Sequence, residues 1–433
     1  MFGLHSPAPT KEHTNSYYAA TAPETDYPCL SGDIDTDVVV IGGGFSGVNT
    51  ALEFAQQGVD VVLVEARRIA WGASGRNGGQ LIGGLGSDPR GFRRQVGAAG
   101  VQELIAMGFE CVDIVADRIR QYAIDCDLRW GYCNVALRPR HLRWLREEKT
   151  FLEQAGYPHA QELLDAQALG SFVGSKAYLG GLYDATGAGH LHPLKLCQAE
   201  AAAAAAQGAR IFEQSHVRSI EHSARPRVFT EHGAVTARHL VLCSNGYLGD
   251  LDPYLATRMV PASSCIIATE PLPEDLAHSV LPRDIAVCDL RTALDYFRLS
   301  PDRRLLFGGL SNYTGLLPRH YRDIMRRKML KVFPQLEDIA IEHSWEGQMG
   351  ISMNRMPQTG MLGPASYYIQ AFSGHGVAPT HMLARVVSDA ISGKRERFEL
   401  LTSLRHWPFP GGRYLRRPLM AMGMLYYKAL DAL

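Results

Sequence analysis

Residues 37–41 read DVVVI, a continuous apolar and β-branched run of the kind that forms a strand covered on both faces. Val48, Ala51, Leu52 and Ala55 then recur at helical spacing, predicting a short helix with one apolar face that stops at Gly58. Residues 61–64 are a second buried strand, ending at Glu65. Strand, helix and strand in this order predict a parallel sheet with a crossover helix.

Further along, residues 92–154 read as helical, rich in charge and aromatics. Residues 172–183 are extended and punctuated by glycine. At 187–193 a turn leads into an alanine-rich helix that stops at Gly208. Residues 211–220 and 239–243 read as strands, the second running into Ser244, Asn245 and Gly246. The stretch 251–344 changes character, with alternation at 293–300 and 304–308 and a helix at 319–333. Residues 367–371 return to a buried-strand pattern, and Gly374-His375-Gly376-Val377 opens a helix with Met382, Leu383, Val386, Val387, Ala390 and Ile391 on its core face. Leu419, Met422, Tyr426 and Leu433 mark an amphipathic tail helix, expected to pack on the protein's own body rather than on a membrane surface.

The fold class expected is α/β plus α+β: a discontinuous Rossmann-like nucleotide-binding domain joined to a β-sheet-rich substrate domain. The segments are an N-terminal arm at 1–32, nucleotide-binding parts at 33–90, 165–250 and 345–398, substrate-domain parts at 91–164 and 251–344, and a tail at 399–433.

The chemistry begins in the turn after the first strand. Gly42, Gly44 and Gly47 stand at G-x-G-x-x-G spacing, with Phe45 and Ser46 between the last two. The first glycine permits the tight turn, the second lets a pyrophosphate approach the backbone, and the third lets helix and strand pack closely. The helix start supplies free N–H groups and the positive dipole end. Glu65, 18 residues after Gly47 and followed by Ala66 and Arg67, suits ribose hydroxyls and would repel a 2′-phosphate. A second turn, Ala73, Ser74, Gly75, Arg76, Asn77, Gly78, Gly79 and Gln80, offers closely spaced amides for a pyrophosphate or a flavin edge. Arg76 suits a phosphate or the substrate.

Composition narrows the class. With 44 basic and 44 acidic residues the formal net charge is zero, so no broad field draws nucleic acid. Eight scattered cysteines without a C-x-x-C pair read as buried thiols of a reducing compartment, and no metal site is expected. The first 20 residues lack the pattern of a signal peptide and no apolar run is long enough to span a membrane, so the expected location is the cytoplasm.

Several motifs together carry a more specific resemblance: SYYAA at 16–20, ASGRNGGQL at 73–81, HLHPL at 190–194, LDYFRL at 294–299, RMPQ at 355–358, SGHGV at 373–377, PFPGGRYLR at 408–416 and AMGMLYY at 421–427. The chain resembles the D-amino-acid oxidase superfamily of FAD-dependent oxidoreductases, and within it the gamma-glutamylpolyamine oxidase branch. The resemblance implies noncovalent FAD in an extended pose. It implies oxidation of a terminal primary amine to an aldehyde and ammonia, with molecular oxygen reoxidising the flavin to give hydrogen peroxide. The competing expectation is a D-amino-acid or secondary-amine dehydrogenase that passes electrons to membrane quinone. Whether the chain forms a homo-oligomer stays open.

Site assignments follow. Gly42 to Gly47 and Glu65 hold the adenosine half, and Val217 passes the adenine through its backbone. Ser244, Asn245 and Gly246 lie where open α/β sheets bind ligands. Gly374, His375, Gly376 and Val377 aim amide dipoles at the flavin edge that gains charge on reduction. Tyr296 and Arg298 share one strand face by period-2 geometry, so Arg298 suits a substrate carboxylate. Trp345 and Arg355 bracket a motif that could line the cavity. Many amino-acid oxidases of the superfamily carry Trp-x-Gly-Leu-Arg-Pro, whose arginine takes the substrate α-carboxylate. Here residues 345–350 read WEGQMG and lack it. Relatives with covalent flavin use a cysteine near this region, where residues 351–354 offer none.

Overall fold

The computed structural model describes residues 11–411, the two-residue strand Leu4–His5, and Leu419 and Gly423. The tail helix expected at 419–433 otherwise lies outside the described residues.

Two large sheets organise the chain. The first has Ile34–Ile41 at its centre, with Val61–Val64 and then Arg210–Phe212 on one side and Ala234–Leu242, Ser366–Gln370 and Gln358–Gly363 on the other. All neighbours in that row are parallel except the last pair. The helix Phe45–Gln56 makes the first crossover, and Gly58 ends its connection with φ +72°. Eleven of that helix's twelve residues are buried, because Pro193–Ala206 packs on one side of it and Pro379–Ile391 on another. The alanine run at 201–206 is what lets the helices lie close. Strand order reverses at Ile34–Ile41. The crevice beyond its carboxyl end, between Gly42 and Cys243, is therefore the expected ligand position in an open α/β sheet.

The second sheet runs Ile341–Ile351, Val260–Thr269, Leu305–Asn312, Tyr296–Leu299, Ala286–Asp289, Arg129–Ala136, Gly180–His190 and Gln80–Leu81, with Gln161–Asp165 on the side. Its outer face packs over Phe297, Phe307, Phe333 and Met329. Its inner face meets the first sheet around Ile266, Leu306 and Trp345.

Five sequence expectations need correction here. The helical reading of 92–154 conceals a strand, Arg129–Ala136, between the helices Arg93–Gln121 and Pro139–Gln154. Residues 187–190 are the end of the strand Gly180–His190 and not a turn, so the chain returns to the nucleotide sheet after His190 rather than at 165. The strand Ile341–Ile351 likewise crosses the 344/345 boundary as one continuous edge. Residues 211–220 break into Arg210–Phe212 and Ser219–Glu221, leaving Val217 in the connection.

Finally, part of the N-terminal arm is core. Ser16 caps the helix Tyr17–Thr21, and Tyr18 is fully buried against Trp345 and His192 at ring separations of 5.2 and 4.8 Å. Two adjacent tyrosines looked like polar-arm residues in sequence; their rings fill the seam between the sheets.

Candidate active site

A cleft of about 590 Å³ opens along the carboxyl ends of Ile34–Ile41 and Ala234–Leu242 and continues under the second sheet. The two glycine turns meet at its floor. A Cβ on Gly42 would stand 2.9 Å from the Cys243 carbonyl oxygen, and one on Gly44 would stand 2.8 Å from Ser74 Oγ. Ser74 Oγ accepts from the Phe45 amide at 2.8 Å, locking the second turn onto the first. Gly44 caps the helix Phe45–Gln56 without any side-chain cap, and with the Phe45 amide taken by Ser74 the cleft-lining residue of that first turn with its amide still unpaired is Ser46.

Glu65 takes the amides of Gly43 (2.6 Å) and Arg67 (2.7 Å), and burial raises its carboxyl above the usual range. Ala66, Arg67 and Val217 line the same end. Gly47 does not line the cleft. A side chain there would collide with the Gly42 carbonyl, so this glycine serves packing alone.

Asn77 organises the second turn. Its side-chain amide donates to the carbonyls of Ala73 (3.1 Å) and Ser74 (2.9 Å), and its oxygen accepts from Gly79 N (2.8 Å). Ala73, Arg76, Gly78 and Gln80 face the cleft, whereas Gly79 turns away with φ +72° and backs onto the Leu191 carbonyl. The Arg76 guanidinium lies 4.2 Å from the Trp71 ring centroid and donates to Trp71 O (2.7 Å) and Glu346 O (3.3 Å).

At the opposite wall, Gly374, His375, Gly376 and Val377 line the cleft just before the helix Pro379–Ile391. His375 Nε2 donates to Gly84 O at 2.8 Å, and burial pushes its imidazole pKa down. Ser244 and Asn245 also line it. Asn245 Oδ1 accepts from Ala371 N at 2.9 Å, whereas the buried Ser244 Oγ has no partner. Gly246 is buried behind them and stands outside the lining.

Two assignments are overturned. Arg298, 2% exposed, points away from the cleft. It donates to the carbonyls of Gly78 (2.9 Å), Leu191 (2.9 Å) and Leu299 (3.1 Å) and to the Tyr18 hydroxyl (3.1 Å). It is a clamp on the second glycine turn and has no room for a substrate carboxylate. Trp345 is core, its Nε1 donating to Arg76 O at 3.0 Å. Tyr296 does line the cleft, its ring pressed between Gly78 and Gly308.

Sequence reasoning missed Ser264, Ser311, Tyr313, Gln348 and Met349, which line the far end beside Tyr296 and Arg355. The alternation at 304–308 pointed the other way, since Ser311 and Tyr313 share the parity of the outward-packed Phe307; an irregularity in register against Val260–Thr269, with Leu310 at φ +53°, turns them to the cleft.

The comparisons with known proteins agree with this geometry. A family model described as DAO, FAD dependent oxidoreductase, matches residues 37–390. The chain belongs to that family. It is 43% identical to gamma-glutamylputrescine oxidoreductase of Escherichia coli (strain K12), over 98% of this chain and 99% of that protein. It is 39% identical to the probable oxidoreductase OrdL of Haemophilus influenzae, over 97% and 98% of the two chains. The glycine oxidase structure from Geobacillus kaustophilus superposes with a TM-score of 0.70 at 19% identity, covering 86% of this chain and 100% of that one, which shows a shared fold.

As a member of the DAO family, the chain is an FAD-dependent oxidoreductase, and its residues fit the cofactor. The uncapped helix start, the side-chain-free approach at Gly44 and the unpartnered Ser244 Oγ all face one cleft and suit pyrophosphate and hydroxyl oxygens. Among the described residues no helix is long and apolar enough to cross a membrane, and no cluster of metal-ligating side chains occurs. All eight cysteines are unpaired. Cys29 is exposed, against the expectation of buried thiols; the other seven are buried.

Proposed function

We propose that this protein oxidises the terminal primary amine of a γ-glutamylated polyamine, of the γ-glutamylputrescine kind, to an aldehyde and ammonia in the cytoplasm. In this reading molecular oxygen takes the electrons and water supplies the aldehyde oxygen, so amine, O2 and H2O become aldehyde, NH3 and H2O2.

The observation that carries the reading is the charge inventory of the cleft. Glu65, at the glycine-turn end, is the one carboxylate in its lining among the described residues. The far end offers Ser264, Ser311, Tyr296, Tyr313, Gln348 and Arg355. A free diamine, doubly charged in water, meets no counter-charge there, while a γ-glutamylated one replaces one of those ammonium groups by an amide for the hydroxyls and Gln348 and balances its α-ammonium with its own α-carboxylate. Met349 lines the cleft where many amino-acid oxidases carry their carboxylate-binding arginine, and its sulfur sits 3.0 Å from the Cβ position of Gly374. An amine with a carboxylate on the same carbon therefore lacks that arginine here. The relative named gamma-glutamylputrescine oxidoreductase supports the same substrate class.

In this reading the backbone amides of Gly44 and Ser46, which line the cleft, hold the FAD pyrophosphate. Glu65 takes the ribose, Val217 passes the adenine, and Arg76, Asn77, Gly78, Gln80, Ser244 and Asn245 surround the remainder. FAD, when bound, accepts hydride from the carbon bearing the amine. Gly374 to Val377 present amide dipoles at the mouth of the helix Pro379–Ile391, and His375, tied to Gly84, fixes that turn. Tyr296 forms the wall against which the aliphatic chain lies. Burial pushes the thiols of the cleft-lining Cys243, up to about 12, and Cys288 upward. In this reading the FAD is noncovalent.

A peroxide-coupled assay across free and γ-glutamylated amines tests the reading. Anaerobic mixing with γ-glutamylputrescine should bleach the flavin absorbance. Strong activity on free putrescine with none on its γ-glutamyl form would overturn the substrate assignment.

A further inference from the structure

We infer that Arg355, steadied by Tyr313, is the subsite for the α-carboxylate at the glutamyl end of the substrate; this inference rests on the proposed substrate class. Arg355 Nη2 donates to the Tyr313 hydroxyl at 2.7 Å, and the guanidinium carbon stands 5.3 Å from that ring's centroid. Both side chains line the far end of the cleft.

Three features mark this guanidinium. Among the described residues no ion pair involves it, whereas Arg68, Arg291 and Arg304 each meet carboxylates. One edge is held by a tyrosine hydroxyl, which leaves further N–H groups of the planar fork for a bidentate partner. And its backbone is held in the left-handed region at φ +61°, a conformation that costs a non-glycine residue energy and persists only where its surroundings enforce it.

The surroundings do enforce it. Ser352 Oγ donates to Met356 O at 2.7 Å, and Asn354 Oδ1 accepts from Met356 N at 3.1 Å. Ser87 Oγ donates to Asn354 O at 2.6 Å, and the Arg355 carbonyl backs onto Gly86, where any side chain would collide with it. A braced, strained turn thus holds one uncommitted cation against a binding cleft.

The position also answers the chemistry. The family arginine that takes an α-carboxylate beside the reacting amine is replaced here by Met349. A γ-glutamyl amine has its carboxylate at the end remote from the reacting nitrogen. Arg355 lies six residues beyond Met349, past the end of the strand Ile341–Ile351.

The test uses the FAD-loaded holoenzyme with γ-glutamylputrescine and with N-acetylputrescine, whose neutral acyl group lacks the carboxylate. Arg355→Gln should lower kcat/KM on the first by about 10²-fold, mostly through KM, and on the second by less than about threefold. Arg355→Lys, which keeps charge but loses the fork, should fall between. Tyr313→Phe should raise KM severalfold on the carboxylated substrate alone. Flavin absorbance and thermal unfolding of each variant report folding, and the Lys and Phe variants decide if the Gln variant does not fold. Equal losses on both amines, or none on γ-glutamylputrescine, would overturn the subsite while leaving the proposed reaction standing. A titration with γ-glutamylbutylamide, which lacks the terminal amine, followed by flavin absorbance, separates the two ideas. Weakening of about 10²-fold by Arg355→Gln, in an enzyme that oxidises neither amine, would sustain the subsite and sink the reaction.

Discussion

His375 Nε2 lies 2.8 Å from the carbonyl oxygen of Gly84, 291 residues earlier in the chain. A carbonyl only accepts, so this nitrogen carries a hydrogen, and burial holds the ring neutral. The imidazole is a brace between the glycine turn and the segment after Gln80–Leu81. His375→Gln, which keeps an N–H donor, should retain the rate of flavin bleaching within about tenfold. Removal of a general base typically costs ~10²–10⁴-fold. Anaerobic stopped-flow measurements across pH distinguish these outcomes, and a loss of three orders of magnitude would make His375 the base.

Tyr296 depends on two missing side chains. A Cβ on Gly78 would stand 2.5 Å from its ring, and one on Gly308 would overlap it from the other side. Gly308→Ala should destabilise the fold by about 1–3 kcal/mol or push the ring into the cleft and raise KM. In a Tyr296→Ala background the same substitution should be nearly neutral. Thermal unfolding of the four proteins of this cycle measures the coupling.

Arg298 and Arg355 should fail in different ways. Arg298→Met strands the buried carbonyls of Gly78, Leu191 and Leu299, at a cost of about 3 kcal/mol or more. It should loosen the second glycine turn and weaken FAD retention. The preference between carboxylated and neutral amines should stay unchanged, because no part of this guanidinium reaches the cleft. Dialysis against potassium bromide, with residual flavin absorbance as the readout, tests the first point, and the substrate ratio tests the second.

His192 gives the fold an acid-side weakness. Its Nδ1 accepts from Lys195 N at 3.2 Å as the N-cap of Pro193–Ala206, while Nε2 donates to Thr21 Oγ1 at 3.0 Å. Burial and the nearby Arg298 charge push its pKa down from 6.5 to about 3. The unfolded chain thus binds this proton first. The stabilising contribution is complete above about pH 6.5 and is lost as pH falls toward 3. Between pH 7 and 5 the wild type should lose about 2 kcal/mol more than His192→Asn, which keeps an N-capping oxygen but does not titrate. Urea denaturation at the two pH values checks it.

How much of this was visible in sequence depended on whether a residue's partner was near it in the chain. The strand–turn–helix–strand from Ile34 to Glu65 was legible because its glycine spacing and apolar periodicity are local signals. The second glycine turn was legible as a motif, although the partners that explain its glycines lie far off, Tyr296 against Gly78 and Leu191 behind Gly79. Arg298 was misread because period-2 geometry says which residues share a face, not what that face meets. Its four partners come from residues 18, 78, 191 and 299. The strand Arg129–Ala136 was hidden because its two flanking helices dominate the local pattern, and its partners lie at 180–190 and 286–289. Tyr313 and Met349 became cleft residues only through the second sheet's placement over the first.

The helix Tyr17–Thr21 ties the time course of synthesis to the finished active site. Tyr18 leaves the ribosome early, yet its hydroxyl waits for Arg298, 280 residues later, and the glycine turn that Arg298 clamps waits with it. The wall at Gly374–Val377 and the helix Pro379–Ile391 that backs it arrive later still. A nascent chain that already displays the complete nucleotide fingerprint at residues 42–47 therefore cannot close its cofactor cleft until almost nine-tenths of the protein has been made.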